Sequence, residues 1–545
     1  MSGTNRSCAS TPGRGLCSRR CIHVSNIMAQ ISRLWPWRPS YFACMITLSA
    51  ALSALSNCSS TQIDADAQSA PVHDVTTDSR QVQPGMIFVA IVGTTFDGHD
   101  AIDQAIARGA VAIIVERMPA SPLPASFVCV SDTRRAFAEL VLAIFDHPSS
   151  VLSMYGVTGT NGKTTCATLM EQIFALEGRR VGFIGTTGNR YGGLEYATDY
   201  STPHARQLAE LFMSMRSEGV DTVCMEVSSH ALSQHRVLGI DYRGAIFTNL
   251  TRDHLDYHGT MQEYARCKKL LFDGLSTSAA AVLWGDSEWT PYMKRGCNAR
   301  HVITVGKGAD NHVRVTNVQM SLTGTTFTLE RMRADATLVP ERCVISTRLL
   351  GDFNVANAAL VAVLCMVDGM SPDSVIAHLA AVTGPKGRME VHHVPSGPTA
   401  IVDYAHTPDA LQSVLGVLRG LHPAGSAAGK IHVVFGCGGD RDRGKRSEMG
   451  RIASEMADHV YITNDNPRTE SPSDIIAHIM GGIDGPHRSR VTIIEDRRQA
   501  IHAALSAAAP SDVVLVAGKG HEEYQIVGTE RLPFSDTEEV LGFGF

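Results

Sequence analysis

The chain has 545 residues, of which 44% are apolar and 19% are charged, and it contains 48 Gly and 23 Pro. This composition excludes disordered, collagenous and coiled-coil proteins, and at roughly 150 residues per domain the length predicts three or four globular domains. The 54 acidic residues outnumber the 48 basic ones, which gives a net charge of −6. A dedicated nucleic-acid binder is not expected, because no overall basic field is available to attract phosphate backbones.

The cysteine content indicates reduced thiols. Thirteen Cys are too few for a disulfide scaffold in a chain of this length, and no Cys-x-x-Cys pair or His/Cys zinc spacing is present. We therefore expect a cytoplasmic protein. Beyond a shorter run near the start, no segment approaches the roughly 20 apolar residues of a membrane span, and none is expected.

The first 63 residues differ in composition from the rest, with six Arg, five of the Cys and no acidic residue. An apolar run at 41–55 resembles a signal peptide, and residues 55–58 resemble a lipoprotein cleavage site. We favour a later translation start instead, at Met28 or Met45. Residues 1–44 are then expected to be an extension outside the fold.

Short apolar runs alternate with helix-like segments along the remaining chain. Polar or Pro-containing segments near 150 and 385 predict three domains, at 45–150, 151–384 and 385–545. In the first domain, 46–52 is expected to open a helix, and strands at 86–91 and 110–115 enclose a helix at 100–108. The strands predicted in the other two domains are 151–157, 180–184, 221–227, 244–249, 399–402, 431–435, 459–463 and 512–516. This alternation predicts an α/β protein with parallel sheets covered on both faces.

Clusters of polar residues follow directly after the apolar strands. They lie at 159–165, 226–230, 249–254, 403–408, 436–446, 465–468 and 518–522. In open α/β sheets, ligands bind outside the carboxyl ends of the strands. The clusters are therefore expected to line the mouths of two sheets.

The first cluster is a Gly-rich loop between a strand and a helix predicted at 163–177. It consists of Gly159, Thr160, Asn161, Gly162, Lys163, Thr164 and Thr165. Backbone N–H groups at such a helix start can cradle phosphates, while Lys163 reaches the terminal phosphates and Thr164 binds Mg²⁺. The strict phosphate-loop pattern fails at Val157, which replaces a Gly. A plain turn with a solvated lysine is the alternative, and the strand–loop–helix context favours nucleotide binding.

Three further residues predict a metal or phosphate site nearby. Glu226 ends an apolar strand, and His254 follows the next one, as expected of ligands for Mg²⁺ or phosphate. Lys268 shares one face of a helix at 261–272 with apolar residues, whereas Lys269 points elsewhere. A lysine on an apolar face either extends its amine to solvent or is buried with a neutral or modified amine.

Two loops in the last third carry concentrated charge. Residues 436–446 contain four cations and two carboxylates among glycines, which indicates either a solvated surface loop or a segment that closes over anionic substrates. Residues 465–468 place Arg468 on a Pro-stiffened loop. A guanidinium held in this way is suited to a bidentate grip on a carboxylate.

In this order of motifs the chain resembles the Mur ligase family. The resemblance runs from residue 75 to residue 536 and leaves out the N-terminal extension. It rests on blocks at 78–80, 159–165, 201–203, 226–230, 234–236, 248–258, 350–357, 387–390, 402–409, 436–446, 465–468 and 518–522. It implies a domain that binds a uridine nucleotide, a central ATPase domain and a Rossmann-like C-terminal domain that binds an amino acid. A monomer is expected.

The resemblance also implies the reaction. ATP phosphorylates the D-Glu carboxylate of UDP-N-acetylmuramoyl-L-Ala-D-Glu, and the acyl phosphate then reacts with an amino group, in the cytoplasm. Arg468 favours meso-diaminopimelate as the amine, because lysine and ornithine lack a second carboxylate. Lysine or ornithine, another ligase of the superfamily, an inactive relative and a nucleotide switch without ligase chemistry are the alternatives.

Site residues follow from the resemblance position by position. Lys163 and Thr164 match positions that hold ATP and metal, and Glu226 and His254 match ligands of Mg²⁺. Lys268 matches a lysine that is carboxylated by CO₂ in this family and then serves as a metal ligand. Asn357 and Arg388 match positions around ATP. The UDP-muramoyl dipeptide is assigned to Ser79, Ser201, Thr202, Ser228, Gln234 and Arg236. The amino acid is assigned to Arg441, Asp465, Asn466, Pro467, Arg468, Gly518 and Glu522.

Overall fold

The computed structural model describes residues 45–543 apart from residues 64, 94–95, 335 and 423–428. The predicted extension, 1–44, lies outside the described residues. Three main sheets of mostly parallel strands follow one another along the chain and are flanked by helices, which confirms the predicted α/β class. The boundaries predicted near 150 and 385 fall between these sheets, and the domain limits stay predictions.

The first sheet lies in the N-terminal part. In chain order this part contains β1 (Ile46–Thr47), α1 (Leu48–Ser53), β2 (Cys58–Gln62), β3 (Pro71–Val72), β4 (Asp74–Thr76), β5 (Met86–Val89), α2 (Ile102–Ala107), β6 (Ala112–Val115), β7 (Phe127–Val130) and α3 (Thr133–Ile144). Strand order is β2-β7-β6-β5-β4, with β2 antiparallel to β7 and the other pairs parallel.

The start of this part corrects one prediction. Ile46 and Thr47 were expected inside the first helix, but they form β1 and pair with β3. Thr47 caps α1 instead, because its hydroxyl oxygen accepts a hydrogen bond from the Ala50 N–H at 3.2 Å. Threonine satisfies an otherwise unpaired N–H better at a helix start than within a helix.

The central part contains an eleven-stranded sheet. Its elements are β8 (Ser153–Thr158), α4 (Lys163–Leu176), β9 (Val181–Gly185), β10 (Gly188–Tyr191), β11 (Leu194–Tyr196), α5 (Ala205–Ser217), β12 (Thr222–Glu226), α6 (Ser229–Ser233), β13 (Tyr242–Phe247), α7 (Leu255–His258), α8 (Met261–Asp273), β14 (Ala280–Trp284), α9 (Thr290–Lys294), β15 (His301–Gly306), β16 (Val313–Ser321), β17 (Gly324–Arg331), β18 (Arg342–Thr347), α10 (Asp352–Val367) and α11 (Pro372–Ala381). The strand order is β11-β10-β9-β12-β8-β13-β14-β15-β16-β17-β18. Two apolar cores cover its faces, one with α4 and α10 and the other with α5 and α8.

The C-terminal part contains a six-stranded sheet. Its elements are β19 (Glu390–His393), β20 (Thr399–Asp403), α12 (Pro408–Leu421), β21 (Ile431–Phe435), α13 (Gly444–Met456), β22 (His459–Ile462), α14 (Pro472–Met480), β23 (Val491–Ile493), α15 (Arg497–Ala507), β24 (Val513–Ala517), β25 (Tyr524–Val527), β26 (Glu530–Pro533) and α16 (Asp536–Leu541). The strand order is β19-β20-β24-β21-β22-β23, with β19 antiparallel, and β25 and β26 form a separate hairpin.

Both larger sheets bring the polar clusters to one edge. In the central sheet β8 lies between β12 and β13, and the three strands run parallel, so the segments after them lie side by side. In the C-terminal sheet β20, β24, β21 and β22 are parallel neighbours. The predicted strands are all present, and their ends shift by no more than two residues, which confirms the placement of the clusters at the carboxyl ends.

None of the helices that the structure describes combines the length and apolar character needed to cross a bilayer.

A fully buried ion pair joins α15 to α16 beneath the C-terminal sheet. Arg497 Nε and Nη2 each donate to a carboxylate oxygen of Asp536 at 2.7 Å, and neither side chain is exposed. The next residue, Arg498, pairs with Glu539 at the surface.

We predict that Arg497→Met lowers the stability of the protein by roughly 3–5 kcal/mol, because it leaves the Asp536 carboxylate buried and unpaired. Arg498→Met is the matched control and is expected to cost several times less, because its ion pair is exposed to water. Urea unfolding followed by circular dichroism measures both. Equal losses in the two variants would contradict the argument.

Candidate active site

The Gly-rich loop after β8 is folded against the segment after β13. The Thr160 N–H donates to the Asn249 carbonyl oxygen at 3.0 Å. Gly162 has a φ of +85°, and a Cβ at this position would lie 2.4 Å from Oδ1 of Asn357. Only glycine fits there without strain or displacement. Asn357 was predicted near ATP, and the structure places its amide directly behind the loop.

Two lysine amines converge on one carbonyl oxygen of this loop. Lys163 Nζ donates to the carbonyls of Gly159 at 3.0 Å and Thr160 at 2.8 Å. Lys268 Nζ donates to the same Gly159 oxygen at 2.8 Å and lies 4.5 Å from the centre of the Tyr264 ring. Lys268 is 1% exposed, so of the two alternatives for this lysine the structure shows the buried one.

Both amines are held in an environment that disfavours their charge. Burial lowers the pKa of Lys268 well below its usual range, and the nearby Lys163 cation lowers it further. Burial also lowers the pKa of Lys163, against the opposing effect of Glu226. An anion that binds nearby stabilises such a cation, and loss of a proton from the lysine removes the unfavourable charge.

Glu226 presents a carboxylate at the end of β12 and is 1% exposed. Its Oε1 accepts from Thr164 Oγ1 at 2.9 Å and from the Thr186 N–H at 2.7 Å, and its Oε2 accepts from Thr186 Oγ1 at 3.1 Å. The adjoining hydroxyl and carboxylate oxygens beside the phosphate cradle are the hard donors that Mg²⁺ prefers.

This donor set fits a cation that is shared with a substrate. In the described part of the chain no group of three or more His, Cys, Asp and Glu side chains is arranged to hold a metal ion. Proteins commonly bind Mg²⁺ through one or two side chains, with substrate phosphates and water as the other ligands. Thr164 and Glu226 match that pattern.

His254, predicted as a further metal ligand, has its described contacts with Asp253, His230 and Tyr264. Its Nε2 is 3.4 Å from Asp253 Oδ2, and its ring centre is 4.9 Å from that of His230. No contact among the described residues joins it to Thr164 or Glu226. Its φ of +52° is rare for a non-glycine residue, and such strain is common in loops that bind ligands. Its role as a ligand stays a prediction.

Most residues assigned to the muramoyl dipeptide form one hydrogen-bonded group beside Glu226. Thr202 Oγ1 donates to the Glu226 carbonyl oxygen at 2.9 Å and accepts from the Ser228 N–H at 3.1 Å. Arg236 Nη1 donates to the Thr202 carbonyl oxygen at 2.9 Å, and its Nη2 donates to Gln234 Oε1 at 2.8 Å. The group is therefore continuous with the backbone that carries the proposed metal carboxylate.

Two other residues of that assignment are placed differently. Ser201 precedes Thr202 in the chain and is half-buried. Ser79 lies in the N-terminal part, where its hydroxyl donates to Gln104 Oε1 at 2.5 Å. The described contacts do not join Ser79 to the Thr202 group, so the two define separate parts of the predicted binding surface.

The linker before β19 connects the two larger sheets at their functional edges. Gly387 has a φ of +63°, and a Cβ there would lie 2.1 Å from the backbone carbon of Gly520. The next residue, Arg388, places its guanidinium 4.6 Å from the centre of the Tyr404 ring, and its Nε is buried without a hydrogen bond in the described structure. The charge of Arg388 lowers the pKa of Lys163.

The residues assigned to the amino acid form a second charged group. Asn466 Oδ1 accepts from Lys519 Nζ at 2.9 Å, and Asn466 Nδ2 donates to Glu522 Oε2 at 2.9 Å. Asp465 is 3.3 Å from the same lysine amine. The structure thus brings together the ends of β22 and β24, which lie two strands apart in the sheet.

Arg468 and its neighbours line the side of this group. The Arg468 Nη1 donates to the Gly439 carbonyl oxygen at 2.9 Å, and the Gly439 N–H donates to the Asn466 carbonyl oxygen at 2.9 Å. Arg441 is exposed and flanks Gly438 together with Arg468. Two further predicted residues complete the wall. They are Pro467, whose carbonyl oxygen faces Gly439, and Gly518, which lies beside Asp465.

Reasoning from the sequence missed three residues that hold others in place. Thr186 follows β9 and fixes the Glu226 carboxylate. Asp403 ends β20 and accepts the backbone N–H of Met389 at 2.7 Å, which anchors the linker. Lys519 is fully buried among the amino-acid residues. All three lie at carboxyl ends of strands, so the rule that located the clusters also pointed to them.

Comparison with known proteins identifies the family. Sequence models of the Mur ligase middle domain, the Mur ligase glutamate ligase domain and the Mur ligase family catalytic domain match residues 157–365, 387–520 and 71–143. The chain belongs to the Mur ligase family. These enzymes are ATP-dependent ligases, so ATP use by this chain follows from its membership.

Individual relatives resemble this Mur ligase over most of its length. The UDP-N-acetylmuramoyl-L-alanyl-D-glutamate–2,6-diaminopimelate ligase of Geobacillus kaustophilus is 42% identical over 84% of this chain and 92% of its own. The protein of that name from Chlorobaculum tepidum is 40% identical over 87% and 92%. A solved structure of a ligase with this name is 34% identical, covers 88% of this chain and 96% of its own, and gives a TM-score of 0.66.

The contact between Gly387 and Gly520 yields a test of how tightly the linker before β19 packs against the loop after β24. We predict that Gly387→Ala lowers both the melting temperature and the ligase activity, because the new methyl group has no space beside the Gly520 backbone. Gly528→Ala is the matched control, since Gly528 has a φ of +61° and nothing within 4 Å of a Cβ. Thermal unfolding and turnover are measured for both. The argument is wrong if the two variants lose equal stability and activity.

Proposed function

We propose that this Mur ligase uses ATP to join meso-diaminopimelate to the D-Glu carboxylate of UDP-N-acetylmuramoyl-L-Ala-D-Glu, as a cytoplasmic step of peptidoglycan precursor synthesis. The names of its relatives support the substrates. The observation that carries the proposal is the phosphate loop after β8, where Lys163 and Thr164 lie beside the carboxylate of Glu226.

The first step is phosphoryl transfer. The carboxylate of D-Glu attacks the γ-phosphorus of ATP, the bond to the bridging oxygen breaks, and ADP leaves. A carboxylate is a poor electrophile, and the resulting acyl phosphate carries a good leaving group. Backbone N–H groups at the start of α4 bind the phosphates. Lys163 gives up its hydrogen bonds to the carbonyl oxygens of Gly159 and Thr160 and forms an ion pair with the phosphates instead.

The second step forms the amide. The amino group attacks the acyl carbon, a tetrahedral intermediate forms, and phosphate departs as the amine loses a proton. The oxyanion of this intermediate forms close to phosphate and carboxylate groups, so fixed cations are needed to stabilise it. Lys163 and Arg388 are proposed to supply this positive charge.

Thr164 and Glu226 would hold Mg²⁺, with His254 as a further candidate. A bound Mg²⁺ neutralises phosphate charge and aligns the γ-phosphate for attack. Thr186 keeps the Glu226 carboxylate facing the loop through two hydrogen bonds.

Lys268 is proposed to be carboxylated. Its neutral amine adds to CO₂ and loses a proton, which converts a buried cation beside Lys163 into an anion. The lowered pKa of Lys268 supports this reaction, because the free amine is the nucleophile. The product replaces the repulsion between two cations with attraction and adds an oxygen donor to the site.

The remaining assignments divide between the two other substrates. The dipeptide nucleotide is proposed to contact Ser79 and the group around Thr202. The amino acid is proposed to lie among Asp465, Glu522 and Arg468, whose guanidinium pairs with the distal carboxylate. Lysine leaves that guanidinium without a partner, which disfavours it as a substrate.

The proposal predicts amide formation with UDP-N-acetylmuramoyl-L-Ala-D-Glu, ATP and meso-diaminopimelate, and much slower reaction with L-lysine or L-ornithine. Arg468→Met is expected to lower kcat/KM for diaminopimelate about 100-fold and to leave the rate with lysine little changed, because a charged hydrogen-bonded partner is lost. Formation of the amide product and formation of ADP are measured in the same assay. Faster use of lysine or ornithine, or ATP hydrolysis that does not depend on the dipeptide, would overturn the assignment.

Lys268→Ala is predicted to lower turnover at least about 100-fold, because it removes the group proposed to become a metal ligand. Short carboxylates or bicarbonate are expected to restore part of the activity. Lys269→Ala is the matched control, since Lys269 pairs with Asp273 away from the cleft. A ¹³C-bicarbonate carbamate signal should appear in the wild type and vanish in Lys268→Ala. Full activity of Lys268→Ala would refute the role.

A further inference from the structure

Lys519 is a charged side chain that the proposed mechanism does not use. It follows β24 and is 0% exposed. Its Nζ donates to the Tyr524 carbonyl oxygen at 2.7 Å and to Asn466 Oδ1 at 2.9 Å. A fully buried lysine is rare without such partners, and the amine of Lys519 does not contact solvent.

The same amine lies between the two carboxylates assigned to the amino acid. Asp465 Oδ1 is 3.3 Å from Lys519 Nζ, and Glu522 Oε2 is 3.4 Å away on the other side. Each carboxylate thus directs one oxygen to the lysine. Asp465 Oδ1 is buried and accepts no hydrogen bond in the described structure, so its contact with Lys519 is an ion pair alone. No described residue donates a hydrogen bond to Asp465 Oδ2 or Glu522 Oε1.

Asn466 fixes the direction of Glu522. Its Nδ2 donates to Glu522 Oε2 at 2.9 Å, while its Oδ1 accepts from Lys519 Nζ and from the Ile526 N–H, each at 2.9 Å. Both ends of the amide are therefore engaged by the protein. Lys519 and Ile526 together determine which end of the amide faces Glu522, so removal of Lys519 takes away one of the two donors that fix this orientation.

The charges of this cluster are matched to one ammonium group. Asp465 and Glu522 contribute two negative charges, and Lys519 cancels one of them. The nearby Arg497 is already paired with Asp536. One negative charge remains, together with carboxylate oxygens that no described residue hydrogen-bonds, and this suits a single ammonium group. Without Lys519, the buried carboxylate of Asp465 and the half-buried carboxylate of Glu522 would face one ammonium group, and the excess negative charge would be costly.

We propose that Lys519 is the positioning residue of the amino-acid site: it aims Glu522 and Asp465 at one ammonium group of the diamino acid and sets the charge that this group meets. The inference rests on the proposed function, because it assumes that these carboxylates bind the amino acid. Lys519 itself does not contact the reacting atoms.

The test is a steady-state comparison of wild type and Lys519→Met, which keeps the length of the side chain and removes its charge. KM for meso-diaminopimelate is expected to rise about tenfold or more, with KM for ATP unchanged and kcat reduced much less. Lys430→Met is the matched control, since Lys430 is exposed in the same part of the chain. It is expected to behave as wild type.

A double-mutant cycle separates positioning from a general loss of structure. Glu522→Gln is expected to raise KM for the diamino acid, and adding Lys519→Met should raise it by much less than in the wild-type background, because the carboxylate to be aimed is gone. Independent, multiplicative effects would overturn the proposal. An unchanged KM for the diamino acid in Lys519→Met would do so as well.

If Lys519→Met does not fold, Lys519→Arg is used as the test variant instead. This variant keeps the positive charge but replaces the ammonium group with a guanidinium of different shape. KM for the diamino acid should rise, while KM for ATP stays constant. Equal changes in both KM values, or none, would reject the positioning role. Failure of the proposed function is recognised separately, because wild-type protein would then form no amide with meso-diaminopimelate.

Discussion

The central site depends on the repulsion between two lysine amines, the buried Lys268 and the half-buried Lys163, that share the Gly159 carbonyl oxygen. Lys163 and Lys268 are held there by the loop after β8 and by the apolar face of α8, and burial makes the charged form of each unfavourable. Two changes relieve this arrangement. Phosphates that enter the loop draw Lys163 away from the carbonyl, and loss of the proton from Lys268 removes one of the charges. The repulsion between the two lysines favours the binding of anions, and the adjacent carboxylate of Glu226 can bind a cation.

A backbone contact ties the linker between the two larger sheets to a loop of the C-terminal sheet. Gly387 lies in the linker before β19, and it approaches Gly520 in the loop after β24 that carries Glu522. Because the contact is made by backbone atoms, the linker and the loop have little freedom to move independently. Any movement of the linker that displaces Arg388 therefore also displaces the loop of Glu522.

The fold was largely predictable because its patterns are local. Apolar strands of the central and C-terminal parts are short, continuous and followed by polar clusters, and the strand–helix alternation restricts them to parallel sheets. The first helix was placed two residues early, because Ile46 and Thr47 pair with a strand that the local pattern did not reveal. The inward-facing Lys268 was predictable for the same local reason, since helical periodicity places it on the face of Tyr264.

The sequence by itself determined the α/β class, the order of the clusters and the family to which the chain belongs. Only the tertiary structure decided which clusters meet. It placed Thr186 against Glu226, buried Lys519 beside two carboxylates and set His254 next to Asp253. The physical reason is that strand and helix patterns depend on neighbours along the chain. Contacts among loops depend on strand order, and strand order is set by packing between segments far apart in sequence.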